Sequence, residues 1–160
     1  MDILYGPWRE AYFTKKHSEC VFCDIVDSPS CGEENKVVFG NESLFIVMNK
    51  YPYTPGHILI IPNEHIDSPE KLPKDIWLDM CSIARDSTNI LYEYGASGIN
   101  MGMNIKSAAG AGIPLHLHMH LLPRWRGDTN FITTIGNARS YGVDFDEIYK
   151  RIKALAQKYL

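Results

Sequence analysis

Three histidines at alternate positions, His116, His118 and His120, separated by Leu117 and Met119, constrain this chain more than any other feature. On a β-strand, residues i, i+2 and i+4 share one face, so the spacing puts three imidazoles on one side and Leu117, Met119 and Leu121 on the other. A polar strand face that happens to be rich in histidine, or an accidental metal-binding patch, would give the same letters. The chain has only six histidines, so three in register favour a built site. Crowded imidazoles also disfavour one another's protonation, which keeps a neutral, nucleophilic ring near pH 7.

The rest of the chain supplies strands around this one. Lys36–Gly40 and Ser43–Asn49 are β-rich runs separated by Asn41-Glu42, a hairpin spacing. A loop at Tyr51-Pro52-Tyr53-Thr54-Pro55-Gly56 leads into a third strand, His57–Ile61. Apolar residues at 76, 77, 80, 83, 84, 90, 91 and 94 give a helix over Asp75–Tyr94 that stops at Gly95. Strands follow at Gly98–Ile105 and His116–Leu122. A closing helix runs from about 144 to 160, with Asp144 as N-cap and Glu147 at capping-box spacing. Short early links favour an antiparallel α+β domain over a doubly wound parallel sheet. The reading is one domain over 1–160: an arm at 1–35 that packs through Trp8, Tyr12 and Phe13, a core at 36–135, and a helical region at 136–160.

Composition closes off other classes. With 45% hydrophobic and 22% charged residues, the chain is neither a disordered tail nor a coiled coil. A net charge of −3 argues against nucleic acid or an anionic membrane as partner. No apolar stretch nears the ~20 residues of a membrane helix. The opening residues lack the basic start and apolar run of a signal peptide, so the expected address is cytoplasmic.

In a reducing compartment four unevenly spaced cysteines do not make a disulfide scaffold. Cys20-x-x-Cys23 needs two further ligands for a tetrahedral zinc site, and His65 with one triad histidine are the available partners. Redox use is disfavoured because Asp24-Ile25-Val26-Asp27 runs into Ser-Pro and makes a poor helix; two packed, reduced thiols remain the plain alternative. Cys31 and Cys81 receive no role. The loop Asn104–Pro114 is rich in Gly and Ala, so its backbone N–H groups can approach an anion. It is not a Walker loop, because no G-K-[ST] follows the glycines. Beside three histidines, and followed by Arg124 and Arg126, it reads as an oligophosphate cradle, although either arginine could instead pair with Asp128.

These segments together resemble the histidine-triad (HIT) family. The run His116-Leu117-His118-Met119-His120-Leu121-Leu122-Pro123 fits the family pattern, and Asn49–His57 and Ile61–His65 are similar to its nucleoside-side segment. Pro7-Trp8-Arg9, the Cys-x-x-Cys pair and Pro123–Phe131 resemble the branch of diadenosine tetraphosphate phosphorylases. The resemblance implies an antiparallel sheet of about five strands with a long central helix and a C-terminal helix, paired into a homodimer. It also implies nucleotidyl transfer through a nucleotidyl-histidine. On that basis His118 is the nucleophile, His120 binds a phosphate oxygen or the leaving group, and Asn104 orients the nucleophile or its phosphate. Asn49 contacts the ribose, Ser107, Ala111 and Gly112 line the phosphates, and Trp125 lines the substrate site. His116 joins Cys20, Cys23 and His65 around a structural zinc, and no organic cofactor is implied.

One departure bears on the reaction. Many hydrolytic members carry Gln then Ser or Thr four and three residues before the first triad histidine, where this chain has Gly112 and Ile113. Backbone donors alone remain, and the space beside Gly112 favours inorganic phosphate over water as second acceptor. The leading expectation is a phosphorylase of dinucleoside polyphosphates. The alternatives are a nucleotide hydrolase or nucleoside phosphoramidase of the same family, or a non-catalytic, zinc-stabilised nucleotide-binding protein. His57, at the head of a strand, is read as structural, and His17 as solvated.

Overall fold

The computed structural model describes residues 20–27, 34–138 and 141–160. The expectations at Trp8, Tyr12, Phe13, His17 and Cys31 lie outside those residues. In chain order the elements are α1 (Val21–Asp27), β1 (Val37–Gly40), β2 (Leu44–Met48), β3 (Ile58–Pro62), α2 (Lys74–Tyr94), β4 (Gly98–Gly102), β5 (Met119–Arg124), α3 (Phe131–Ile135) and α4 (Phe145–Tyr159). The five strands form one sheet in the order β1-β2-β3-β5-β4, with every neighbouring pair antiparallel. This is the α+β architecture the sequence implies.

Alternation along the central strands gives the sheet two different faces. Ile46, Met48, Ile58, Ile60, Met119 and Leu121 turn to one side and pack with Met80, Ile83 and Leu91 of α2 and Ile148 and Ile152 of α4. Phe45, Val47, Leu59 and Ile61 turn to the other, where Cys20, Phe22 and Ile25 of the α1 segment and Ile113 cover them. His120 is paired with Leu59 across the β3–β5 ladder, and directly opposed residues share a face. The histidines therefore belong to the second side, beneath α1.

The helices end as local chemistry dictates. Gly95 closes α2 at φ +118°, its N–H returning to the Leu91 and Tyr92 carbonyls. Asp144 caps α4 by accepting from the Asp146 and Glu147 amides, while the Glu147 carboxylate goes to Lys150 at 2.9 Å. A reciprocal capping box forms instead at Asn130 and Thr133, ahead of α3. Contrary to the sequence reading, α1 is a seven-residue helix. The Ser-Pro breaker lies past its end, and Phe22 and Ile25, one helical turn apart, each bury a side chain worth ~1.5–3 kcal/mol. The last two strands also differ in extent. β4 ends at Gly102 and β5 starts at Met119, because the Leu117 N–H goes to the Ile66 carbonyl rather than to a sheet neighbour.

Candidate active site and metal centre

The three triad histidines are 1%, 6% and 9% exposed, so they do not form a solvated strand face. A carbonyl oxygen can only accept, so a ring nitrogen that bonds to one carries a proton, and this assigns the tautomers. His116 Nε2–H donates to the Pro62 carbonyl at 2.9 Å, leaving its Nδ1 unprotonated. His118 does the reverse: Nδ1–H donates to the His116 carbonyl at 2.8 Å, leaving Nε2 with the lone pair. Phe22 meets both rings edge-on, with centroids 5.4 and 5.3 Å away.

His120 is set from further off. Gly56, at φ +80°, makes the turn into His57; a Cβ there would stand 2.9 Å from the Tyr94 ring. The Tyr53 N–H and the Asn49 side-chain amide both donate to His57 Nδ1, each at 3.2 Å. His57 Nε2–H therefore donates to His120 Nδ1 at 2.9 Å. His120 Nε2 must then carry its proton, and it is buried without a hydrogen-bond partner among the described residues. Burial, reinforced by the neighbouring histidines, holds His57 down to about 3 and His120 down to about 4. Burial lowers His118 as well, partly offset by its bond to the His116 carbonyl. All three rings are neutral at pH 7. The site thus presents one unprotonated Nε2, on His118, and one unpartnered N–H donor, on His120, with ring centroids 4.9 Å apart.

Cys20, Cys23, His65 and His116 converge, their ligand atoms all within 4.8 Å of one another. His116 Nδ1 lies 3.3 Å from Cys20 Sγ and 3.7 Å from Cys23 Sγ, and His65 Nδ1 lies 3.1 Å from Cys23 Sγ. Tetrahedral zinc with two sulfur and two nitrogen ligands has S···N edges of about 3.6 Å. Burial and the adjacent Cys20 push the Cys23 thiol up to about 11, a cost that a bound cation would remove. The donor set fits zinc.

The remaining expected residues fall in different places. Asn104 is half-buried beyond β4, and Ser107 opens an exposed 3-10 turn, Ser107–Ala109. The Ala111 N–H turns back to the Lys106 carbonyl at 3.4 Å. Gly112 is exposed; Ile113 packs against the cluster that holds Cys20 and Phe22. Trp125 is not brought to the triad: it packs against the opposite, helix-covered side of the sheet, with its indole N–H on the Gly95 carbonyl at 2.8 Å. Arg124 is committed to Asp128 through Nε at 2.5 Å and Nη2 at 2.8 Å, and to Asn100 through Nη1. Sequence reasoning missed Tyr53, whose ring stacks at 14° on His120 with centroids 6.1 Å apart. It also missed the place of His57 in the imidazole chain, since its partner is 63 residues away.

The HIT domain family model matches residues 32–127, and the chain belongs to that family. It is 33% identical over 108 residues to a protein of Mycobacterium tuberculosis named AP-4-A phosphorylase, covering 67% of this chain and 55% of that protein, about half its length. A HIT-like protein of Methanocaldococcus jannaschii is 30% identical over 135 residues, covering 84% of this chain and 98% of its own. Among solved structures, a zinc-bound histidine-triad protein of Mycobacterium smegmatis superposes with a TM-score of 0.70 at 26% identity, over 87% of this chain and 94% of that one. A protein of Arabidopsis thaliana named adenylylsulfatase HINT3 is 30% identical over 95 residues, covering 58% of this chain and 46% of that protein.

Proposed function

We propose that this protein is a nucleotidyl transferase that cleaves dinucleoside polyphosphates, diadenosine tetraphosphate among them, through a nucleotidyl-His118 intermediate. The observation that carries the reading is the paired tautomers: a lone pair at His118 Nε2 beside an unpartnered donor at His120 Nε2. His118 Nε2 attacks the α-phosphorus, the bond to the bridging oxygen breaks, and His120 Nε2–H hydrogen-bonds that oxygen as negative charge gathers on it. Forming a covalent intermediate divides one hard displacement into two easier ones. Phosphoryl chemistry otherwise asks for positioning and neutralised charge, the work assigned to Asn104, Ser107, Ala111 and Gly112, with Asn49 at the ribose. In the second step inorganic phosphate attacks the nucleotidyl-histidine and releases a nucleoside diphosphate; the missing side-chain donors at Gly112 and Ile113 favour phosphate over water.

Cys20, Cys23, His65 and His116 hold a structural zinc that ties α1 to the start of the triad segment and takes no part in the reaction. The thiols suit the cytoplasm. The exposed edge of β4, with Asn100, Met101 and Gly102, is where a second protomer extends the sheet. Trp125 takes part in substrate binding only if the partner's site reaches it.

The test is to incubate the protein with diadenosine tetraphosphate, with and without inorganic phosphate, and to resolve the products. Phosphate-dependent ADP plus ATP is the expected result. AMP plus ATP regardless of phosphate would make it a hydrolase. Cleavage of a nucleoside phosphoramidate alone would make it a phosphoramidase.

A further inference from the structure

Lys106 stands in the small-residue loop ahead of the triad with φ +66° and ψ 172°, backbone that glycine adopts freely and other residues only under strain. The turn itself needs only the Lys106 backbone, whose carbonyl receives the Ala109 and Ala111 N–H groups. Nothing in the local fold calls for a side chain there, and glycine would serve it better. The side chain is nevertheless placed, with its ammonium 3.2 Å from Asp67 Oδ2.

Asp67 does not depend on that contact. Lys71 Nζ donates to its other oxygen at 2.8 Å and the Ser68 hydroxyl at 2.9 Å, so the carboxylate stays neutralised if Lys106 leaves. Lys106 is half exposed, and such pairs are weak and easily exchanged. The position is also right. Asp67 follows Ile66, whose carbonyl holds the Leu117 N–H between His116 and His118 at 2.5 Å. Lys106 lies two residues past Asn104. Its ammonium is thereby tied to the residue next to Ile66, and so to the segment that holds Leu117, whereas Arg124 is tied to Asp128 and Asn100.

We infer that Lys106 binds the phosphates beyond the α-phosphorus, exchanging Asp67 for a polyphosphate oxygen when substrate arrives, and so sets a preference for nucleoside polyphosphates over monophosphates. This deepens the function proposed above and rests on it for the identity of the substrate. A charge-assisted hydrogen bond to a phosphate oxygen gains most where, as here, the donor gives up a weak partner.

The experiment is calorimetric titration of the protein, and of its K106G and K106R variants, with AMP and with α,β-methylene-ATP, whose α–β bridge resists cleavage. The ratio of the two affinities should fall about tenfold in K106G and be largely restored in K106R, while the K106G melting temperature rises because glycine relieves the strain. An unchanged ratio in K106G would overturn the inference, as would equal losses for both ligands, which would make Lys106 a scaffold of the loop. The readout needs no turnover: a protein that binds both nucleotides but cleaves none would refute the proposed reaction while still deciding the role of Lys106. A protein that binds neither nucleotide would refute both.

Discussion

The cluster at Cys20, Cys23, His65 and His116 and the imidazole chain from Asn49 through His57 to His120 lie on one face of the sheet and share a residue type, yet are prepared for different chemistry. In the cluster an unprotonated Nδ1 faces two sulfurs. In the chain each ring passes its proton orientation to the next, and the last ends in a donor without a hydrogen-bond partner among the described residues. The difference comes from the backbone: Pro62 occupies Nε2 of His116, and the His116 carbonyl occupies Nδ1 of His118. Two positions along one segment, the available ring nitrogen is reversed. One imidazole is thereby suited to a metal and the next to a phosphorus atom, without a change of residue.

Breaking either half separates them. His118→Ala should lower turnover of diadenosine tetraphosphate by of order 10⁴-fold while leaving zinc content and melting temperature close to those of the parent; a residual rate within tenfold would show that another group attacks. Cys20→Ser should reduce bound zinc well below one per protomer and cost about 3 kcal/mol or more of stability. A chelator should then lower the melting temperature of the parent but not of the variant. Equal sensitivity to chelator would place the metal elsewhere.

His57→Phe tests the chain alone. It removes the donor to His120 Nδ1 and should lower kcat about 10²-fold, the scale of one positioned proton donor, with zinc content unchanged. An unaltered kcat would show that His120 needs no such support. A further effect is on pH. His57 and His120 have pKa values of about 3 and about 4 in the folded protein, below the ordinary histidine value of 6.5. Below pH 6.5 the unfolded chain takes up protons that the folded one refuses, so stability falls as pH drops towards 4, by about 1.4 kcal/mol per unit for each group. Urea midpoints at pH 7 and pH 5 should show this loss in the parent and a smaller one in His57→Phe. The same loss in both would clear His57 of the effect.

Much of this was legible in the letters, because periodic signals survive without tertiary context. The alternation at His116–His120, the stripe from Ile76 to Tyr94 and the Asp144 cap each depend on neighbours within a few residues. The convergence of Cys20, Cys23, His65 and His116 was legible too, since the donor types leave His65 and one triad histidine as partners and the resemblance selects His116. What escaped was set by distant contacts. His57 acquires its place from a bond to His120, and α1 is stabilised by packing Phe22 and Ile25 on the β2–β3 surface. Trp125, to which the resemblance gives a substrate-lining role, packs on the helix-covered side of the sheet with its N–H on the Gly95 carbonyl, a placement set by a contact 30 residues away in the chain. Arg124, for which the sequence leaves a phosphate or Asp128 as partner, forms a bidentate pair with Asp128.

Imidazole ¹⁵N spectroscopy of the zinc-loaded protein at pH 7 reads the opposed tautomers on this one face of the sheet without relying on turnover. The expected result is a metal-shifted Nδ1 and protonated Nε2 for His116, a protonated Nδ1 and unprotonated Nε2 for His118, and a protonated Nε2 for His120. A His118 ring protonated at Nε2, or a His120 ring protonated only at Nδ1, would contradict it.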